Sequence, residues 1–245
     1  MRDINRYQAD YVAAYGFERY MVRYRRRQVL ECLARLPHER ILEVGCGMEP
    51  LFEHLETWRA YTIVEPAPKF AEHARGLVPP GKNVTVHESL LEDATALLGT
   101  DRFDFIVASS LLHEVPDPAL LLSALRSLCG AGTVVHINVP NAASLHNRLA
   151  VSMGLIPNLF ARSPLAERMQ RRGTYDLERL VTLVQQEGFA IESSGSYFLK
   201  PFTHGQLQQM LERGIIDERV LDALYEVNGE FAGCGAEVYV NVQKR

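Results

Sequence analysis

The stretch Ile41-Leu42-Glu43-Val44-Gly45-Cys46-Gly47-Met48-Glu49-Pro50 decides the fold. It reads as a buried strand, Ile41 to Val44, then a tight Gly-x-Gly turn, then a helix start with Pro50 in its first turn. Two glycines let the backbone turn sharply and let a ligand approach with no side chain in the way. The helix start that follows would offer free N–H groups and a positive dipole end. Glu43 is the unusual residue. A carboxylate at the end of the strand repels a pyrophosphate and suits a ligand that carries a positive charge or hydrogen-bond donors.

Outward from this stretch the text alternates between strand and helix. Short apolar runs rich in Val and Ile predict strands at Arg40–Val44, Tyr61–Glu65, Val84–Glu88, Phe103–Ser109 and Thr133–Val139. Helical or loop stretches separate them at Pro50–Trp58, Lys69–Leu77, Leu91–Leu97 and Pro118–Cys129. Such a series predicts an α/β, doubly wound sheet. A further helix at Asp176–Glu187, a strand at Phe189–Tyr197 and a last strand at Ala236–Gln243 follow. No ordinary crossover helix lies between the last two strands, so they are expected to pair antiparallel. Residues 3–36 read as helical, with Gly16 breaking one helix and a second running from about Glu18 to Leu36. Two helical segments, 142–174 and 198–230, interrupt the rhythm and read as inserted caps.

The 245 residues are 47% apolar and 23% charged, as expected of one soluble globular domain. A net charge of −4 argues against a partner held by bulk electrostatics, such as a nucleic acid. With no apolar run of membrane-span length and no secretory leader, the expectation is a cytoplasmic protein without a membrane partner. Cys32, Cys46, Cys129 and Cys234 are scattered and read as free buried thiols. His, Cys, Asp and Glu show no metal-ligand spacing, so no metal is expected.

The Glu-x-Gly-x-Gly turn belongs to a longer set: Val64-Glu65-Pro66 at the second strand end, His87-Glu88-Ser89 at the third, and Phe103 to Val115 around the fourth. In these residues the chain resembles the class I S-adenosylmethionine-dependent methyltransferases, most closely the small-molecule enzymes of quinone and sugar pathways. The likeness is close over 40–140 and holds in outline over 175–243. It implies a seven-stranded Rossmann-like sheet with the last strand antiparallel, in one methyltransferase domain spanning 1–245. Residues 1–36 would form an N-terminal helical lid and 40–140 the cofactor-binding core, with caps at 142–174 and 198–230 and the last strand at 236–243. The implied cofactor is S-adenosylmethionine, leaving as S-adenosylhomocysteine.

Residue by residue, the resemblance implies that Glu43, Gly45, Cys46 and Gly47 hold the cofactor's methionine end. Glu65 and Pro66 would meet its ribose, and Glu88, Ser89 and Leu90 its adenine. Ser109, Ser110 and Leu111 would wrap it. From the lid, Tyr11 and Tyr20 would exclude water and Arg23 would pair with its carboxylate. His113 is the candidate general base, since histidine takes a proton near neutral pH. Tyr15, Glu114, Asn141, Arg172, Tyr175, Tyr197, Lys200, Phe202 and His204 are the candidate acceptor contacts, with Arg172 and Lys200 suited to an anionic molecule.

One departure stands out: the family often has a third glycine two residues after Gly47, and Glu49 stands there. With Pro50 beside it, this also argues against a dinucleotide-dependent oxidoreductase. Two other readings stay open, a methyltransferase acting on RNA or protein and a non-catalytic cofactor-binding regulator. The run Ser109-Ser110-Leu111-Leu112 lacks the motifs used on nucleic-acid bases. Inserted helices of this kind often pair between subunits, so a homodimer is one arrangement that the resemblance allows.

Overall fold

The computed structural model describes residues 15–99, 103–161 and 172–245. In chain order its elements are α1 (Tyr15–Leu33), β1 (Arg40–Val44), β2 (Ala60–Val64), α2 (Pro68–Leu77), β3 (Val84–His87) and α3 (Leu91–Leu98). Then follow β4 (Phe105–Ser109), α4 (Pro118–Ser127), β5 (Val134–Pro140), α5 (Leu145–Ser152) and α6 (Leu177–Gln186). The chain ends with β6 (Phe189–Tyr197), α7 (His204–Glu212), α8 (Glu218–Glu226) and β7 (Glu237–Lys244).

The seven strands form one sheet in the order β3-β2-β1-β4-β5-β7-β6, with β7 antiparallel to both neighbours. The strand order reverses between β1 and β4, the place where open α/β sheets bind ligands beyond their carboxyl ends. Alternate residues divide the core. Leu42, Val44, Ile106 and Ile137 pack with α3, α4 and α6 on one face. Ile41, Tyr61, Ile63 and Phe105 pack with α1 and a 3-10 turn on the other. A third cluster joins the start of α1 to Tyr197, Phe198, α7 and α8.

Three expectations are corrected here. The chain after the glycine turn forms only a 3-10 turn, Leu51–His54, with Pro50 at its N-cap, not a helix to Trp58. The Leu51 N–H, which a helix N-terminus would have offered outward, donates instead to both Glu43 carboxylate oxygens at 3.2 Å. α1 starts at Tyr15 and not near Glu18, so Gly16 lies inside its first turn, while the helix expected before it lies outside the described residues. A glycine near a helix end costs only about 1 kcal/mol, and the packing of Phe17, Tyr20, Met21 and Tyr24 outweighs it. The four cysteines are unbridged as expected, yet only Cys46 and Cys129 are buried, while Cys32 and Cys234 are half-exposed. Among the described residues no helix is long and apolar enough to cross a membrane.

Candidate active site

The strands β1 to β6, β7 excepted, run parallel, so their carboxyl ends meet along one edge with the start of β7. Every strand-end residue singled out from the sequence lies there. The glycine turn opens this edge. Gly45 and Gly47 adopt φ of 77° and 58°, the left-handed region that glycine enters without strain. The Gly45 N–H donates to the Val64 carbonyl at 2.9 Å, which ties the turn to the end of β2. A side chain added at Gly45 would touch Leu111 at 3.7 Å. One added at Gly47 would meet no atom within 4 Å. The Gly47 face is therefore a bare strip of backbone turned toward open space.

Two buried carboxylates flank this turn. Glu65 accepts from the Gly47 N–H at 3.2 Å and from the Ala67 N–H at 2.8 Å. A carboxylate oxygen can accept more than one hydrogen bond. Glu43 lies on the other side of the turn and is 7% exposed. Its carboxylate is committed to Leu51 and to the Tyr61 hydroxyl, which donates at 2.7 Å. Burial pushes the Glu43 carboxyl up to about 7, against the lowering pull of these two hydrogen bonds and with the charge of Glu65 adding to the rise. Burial likewise pushes the Cys46 thiol up, so it stays protonated. Glu43 thus braces the turn from behind, through Leu51, and its partner Tyr61 is a residue that sequence reading missed. The available signal was a tyrosine inside a strand buried on both faces, where a phenol needs a hydrogen-bond partner.

At the end of β3, Glu88 is exposed and lies 3.6 Å from Arg75, Ser89 donates to the Leu90 carbonyl, and Leu90 is exposed. At the end of β4, Ser109 passes to Ser110, which holds φ of 55°. A left-handed serine is strained by about 1–2 kcal/mol, and its N–H is held by the Asn138 carbonyl at 2.9 Å. Such strain collects at functional turns. The turn that follows carries His113, which is 3% exposed. Its Nε2 lies 3.6 Å from the Glu114 carboxylate, and its carbonyl accepts from the Arg172 and Gly173 N–H groups. Two segments far apart in sequence thereby meet at His113.

Several expected contacts sit elsewhere. Arg23, expected at the cofactor's carboxylate, is held by Glu218 and Asp222 of α8, each at 2.9 Å. Tyr20 donates to Glu218 beside it. The Asn141 side chain donates to the Gly233 and Gly235 carbonyls and accepts from the Ala143 N–H. A side-chain amide at the β5 terminus is well placed to satisfy the loop entering β7, and that role consumes it. Tyr175 packs in the core beneath Gly173. Arg172 and Phe202 are exposed, while Lys200 is buried. Pro66 links Glu65 to α2, and the His204 ring lies tilted against Phe17, with centroids 5.2 Å apart. Tyr11 and the side chain of Tyr15 lie outside the described residues.

Sequence reading also missed a buried ionic group at the same edge. Arg25 of α1 is held by Glu237 at 2.8 Å and Glu18 at 2.5 Å. Burial pulls its guanidinium down, but the two carboxylates outweigh burial and hold it well above its usual value. Asn138 donates to the other Glu237 oxygen. The hydroxyl of Tyr197, paired in register with Glu237, is buried and makes no hydrogen bond among the described residues. An acid opening a strand that otherwise reads as buried was the signal for this group. His146 of α5 is nearby in kind: burial, and then the charge of Lys200, pull it down to about 3.

A sheet of this order with an acidic residue ahead of a glycine turn and a carboxylate closing β2 defines a class I S-adenosylmethionine-dependent methyltransferase fold. The chain belongs to the methyltransferase-domain family, whose model matches residues 17–194. It is 31% identical over 113 residues to the ubiquinone biosynthesis O-methyltransferase of Histophilus somni, a match spanning 43% of this chain and 47% of that protein. The chain therefore matches about half the length of that relative. Among solved structures, an S-adenosylmethionine-dependent methyltransferase from Thermotoga maritima superposes with a TM-score of 0.62 at 18% identity, covering 97% of this chain and 95% of that one. The plantazolicin methyltransferase, solved with S-adenosylhomocysteine, gives 0.55 at 17% identity, covering 98% and 97%.

The residues present fit that cofactor. The bare Gly47 face would admit a ligand against backbone, and a carboxylate such as Glu65 beside it suits vicinal hydroxyls.

Proposed function

We propose that the protein transfers a methyl group from S-adenosylmethionine to an oxygen or nitrogen of a small-molecule acceptor and releases S-adenosylhomocysteine. The observation that carries this reading is the open Gly47 face set beside the buried Glu65 carboxylate at the strand-order reversal. When bound, the cofactor supplies a methyl group on a sulfonium that is already activated for displacement. The chain's own work is to bind, align and dehydrate. Gly45, Cys46 and Gly47 offer the backbone, Glu65 takes the ribose hydroxyls, and Glu88, Ser89 and Leu90 take the base. Glu43 acts at one remove, fixing the turn through the Leu51 N–H.

His113 is the group we assign to accept the acceptor's proton, at Nε2, with Glu114 stabilising the imidazolium that results. Its placement in the turn after β4, gripped through its carbonyl by Arg172 and Gly173, supports the role. A small acceptor is supported by the net charge of −4, by the absence of base-methylating motifs, and by the named pathway of the Histophilus relative.

Calorimetry with S-adenosylmethionine and S-adenosylhomocysteine tests the cofactor. Failure of both to bind more tightly than about millimolar, a free energy of about 4 kcal/mol, would end the proposal. Screening hydroxyl- and amine-bearing metabolites for S-adenosylhomocysteine release tests the reaction. In the variant His113→Gln, S-adenosylhomocysteine affinity should persist while turnover falls by about 100-fold or more. Unchanged turnover would remove the base.

A further inference from the structure

The proposed chemistry does not use the densest charge feature of the chain. Four arginines, Arg23, Arg25, Arg26 and Arg27, fall within five positions of α1 in a protein of net charge −4. Between them they grip three different parts of the fold. Arg23 and Arg27 are four apart and so share a helix face. On α8, Glu218, Asp222 and Glu226 are also four apart. The two rows mesh: Arg23 meets Glu218 and Asp222, and Arg27 meets Glu226. Tyrosines fill the ladder. Tyr20 donates to Glu218, Tyr24 to Asp222 at 2.9 Å, and Tyr225 of α8 to Glu31 at 3.1 Å. Tyr24 also lies between Phe198 and Tyr225, with ring centroids 4.4 Å and 5.3 Å away. The inserted helix α8 is thus joined to α1 along its length.

Arg26 turns away from this face. Its Nη1 pairs with the Glu49 carboxylate at 2.7 Å. Glu49 is the residue that stands where the resemblance led us to expect a third glycine, two positions beyond Gly47. The bridge is partly shielded, with side-chain exposures of 21% and 33%. Along the helix axis Arg26 and Arg27 are about 1.5 Å apart. One turn of a single rigid helix therefore touches the cofactor turn on one side and the inserted helix on the other.

We propose that the Arg26–Glu49 bridge couples occupancy of the glycine turn to the docking of α8, making Glu49 and Arg26 positioning residues that link the cofactor turn to the inserted segment. The turn from Gly45 to Pro50 owes its shape to two left-handed glycines and so gains order when a ligand lies against it. Ordering the turn fixes the Glu49 carboxylate. Fixing Glu49 holds Arg26, and with it the helical turn that carries Arg23 and Arg27. Coupling of this kind is reciprocal, so a molecule that stabilises the docked α8 would also tighten cofactor binding.

This rests on the S-adenosylmethionine reading of the turn, and the test separates the two. Hydrogen–deuterium exchange of the full chain is measured with and without saturating S-adenosylhomocysteine, with calorimetry on the same samples. In the wild type, the ligand should slow exchange at 41–51 and also across 218–226. In Glu49→Gln, calorimetry should still register binding and 41–51 should still be protected. The added protection at 218–226 should fall by about twofold to fivefold, the scale of a partly exposed ion pair. The charge-reversed pair Arg26→Glu with Glu49→Arg should restore it, which a merely local structural role would not do. Equal protection of 218–226 in Glu49→Gln and wild type, or calorimetric binding with no protection there in the wild type, would overturn the coupling alone. No calorimetric binding to the wild type would overturn both it and the cofactor reading.

Discussion

The Glu43–Tyr61 contact makes the sharpest quantitative claim, and Tyr61→Phe isolates it. The substitution removes one hydroxyl and leaves the ring packed edge-on against Phe52 and Trp58, so no large cavity forms. What is lost is a 2.7 Å hydrogen bond to a buried carboxyl whose pKa has already risen to about 7 from an ordinary 4.5. The sign follows from linkage. A carboxyl whose folded pKa is raised favours folding most when protonated. That stability is fully present below about pH 4.5 and is lost as pH rises through about 7. The loss for the wild type is about 3 kcal/mol. Without Tyr61 the charged form has one less donor, so the pKa moves higher and the loss deepens and extends above pH 7. A hydrogen bond to a charged group contributes about 1.5–3 kcal/mol, and one between neutral groups about 1 kcal/mol. Urea unfolding should therefore show Tyr61→Phe destabilised by about 2–3 kcal/mol at pH 8 but only about 1 kcal/mol at pH 5. The phenol does not confuse the comparison, because burial and Glu43 hold its own pKa well above the ordinary tyrosine value. Equal destabilisation at the two pH values would show that Glu43 does not titrate in this range or does not rely on Tyr61, and the account of how the turn is braced would fail.

Three other substitutions read separate parts of the structure. Gly47→Ala forces a side chain into the left-handed region at a cost of about 1–2 kcal/mol, but meets no protein atom. The fold should survive a thermal melt while S-adenosylhomocysteine affinity in calorimetry falls by about tenfold or more, and an unchanged affinity would place the ligand elsewhere. Glu237→Gln leaves the buried Arg25 with Glu18 alone. Chemical unfolding should register a loss of about 3 kcal/mol, the low end for breaking a buried pair, and a loss below about 1 kcal/mol would show that the pair is not needed. Gly235→Ala would set its Cβ 2.5 Å from the Tyr197 carbonyl oxygen and 2.7 Å from Asn228. Overpacking of this kind costs about 1–3 kcal/mol, and wild-type stability would mean that the entry to β7 can move.

The sheet was legible because its signals are local. Most of the strands are short runs dominated by apolar residues, and each observed strand boundary falls within two residues of the boundary read from the text, as at Ala60–Val64 and Phe105–Ser109. The helix expected after Pro50 stops after one 3-10 turn, where the Leu55 N–H bonds the Phe52 carbonyl and Leu55 turns extended, and the Leu51 N–H at its start is taken by a carboxylate eight residues earlier. The inserted segments were legible as interruptions, but their text did not reveal that α8 presents a row of acids to α1.

By itself, then, the sequence determined the strands, the antiparallel last strand, the glycine turn and the strand ends that carry Glu65, Glu88 and Ser109. Apolar period, glycine and strand length act over a few residues, and those are written in order along the chain. Only the tertiary structure decided where each charged side chain is committed. Arg23 pairs with residues nearly two hundred positions away, Arg25 with Glu237, Arg26 with Glu49, and Glu43 with Tyr61. An ionic or phenolic group takes whichever partner packing brings within about 3 Å in a water-poor space. That choice depends on how α1 lies across the sheet, which no local pattern records.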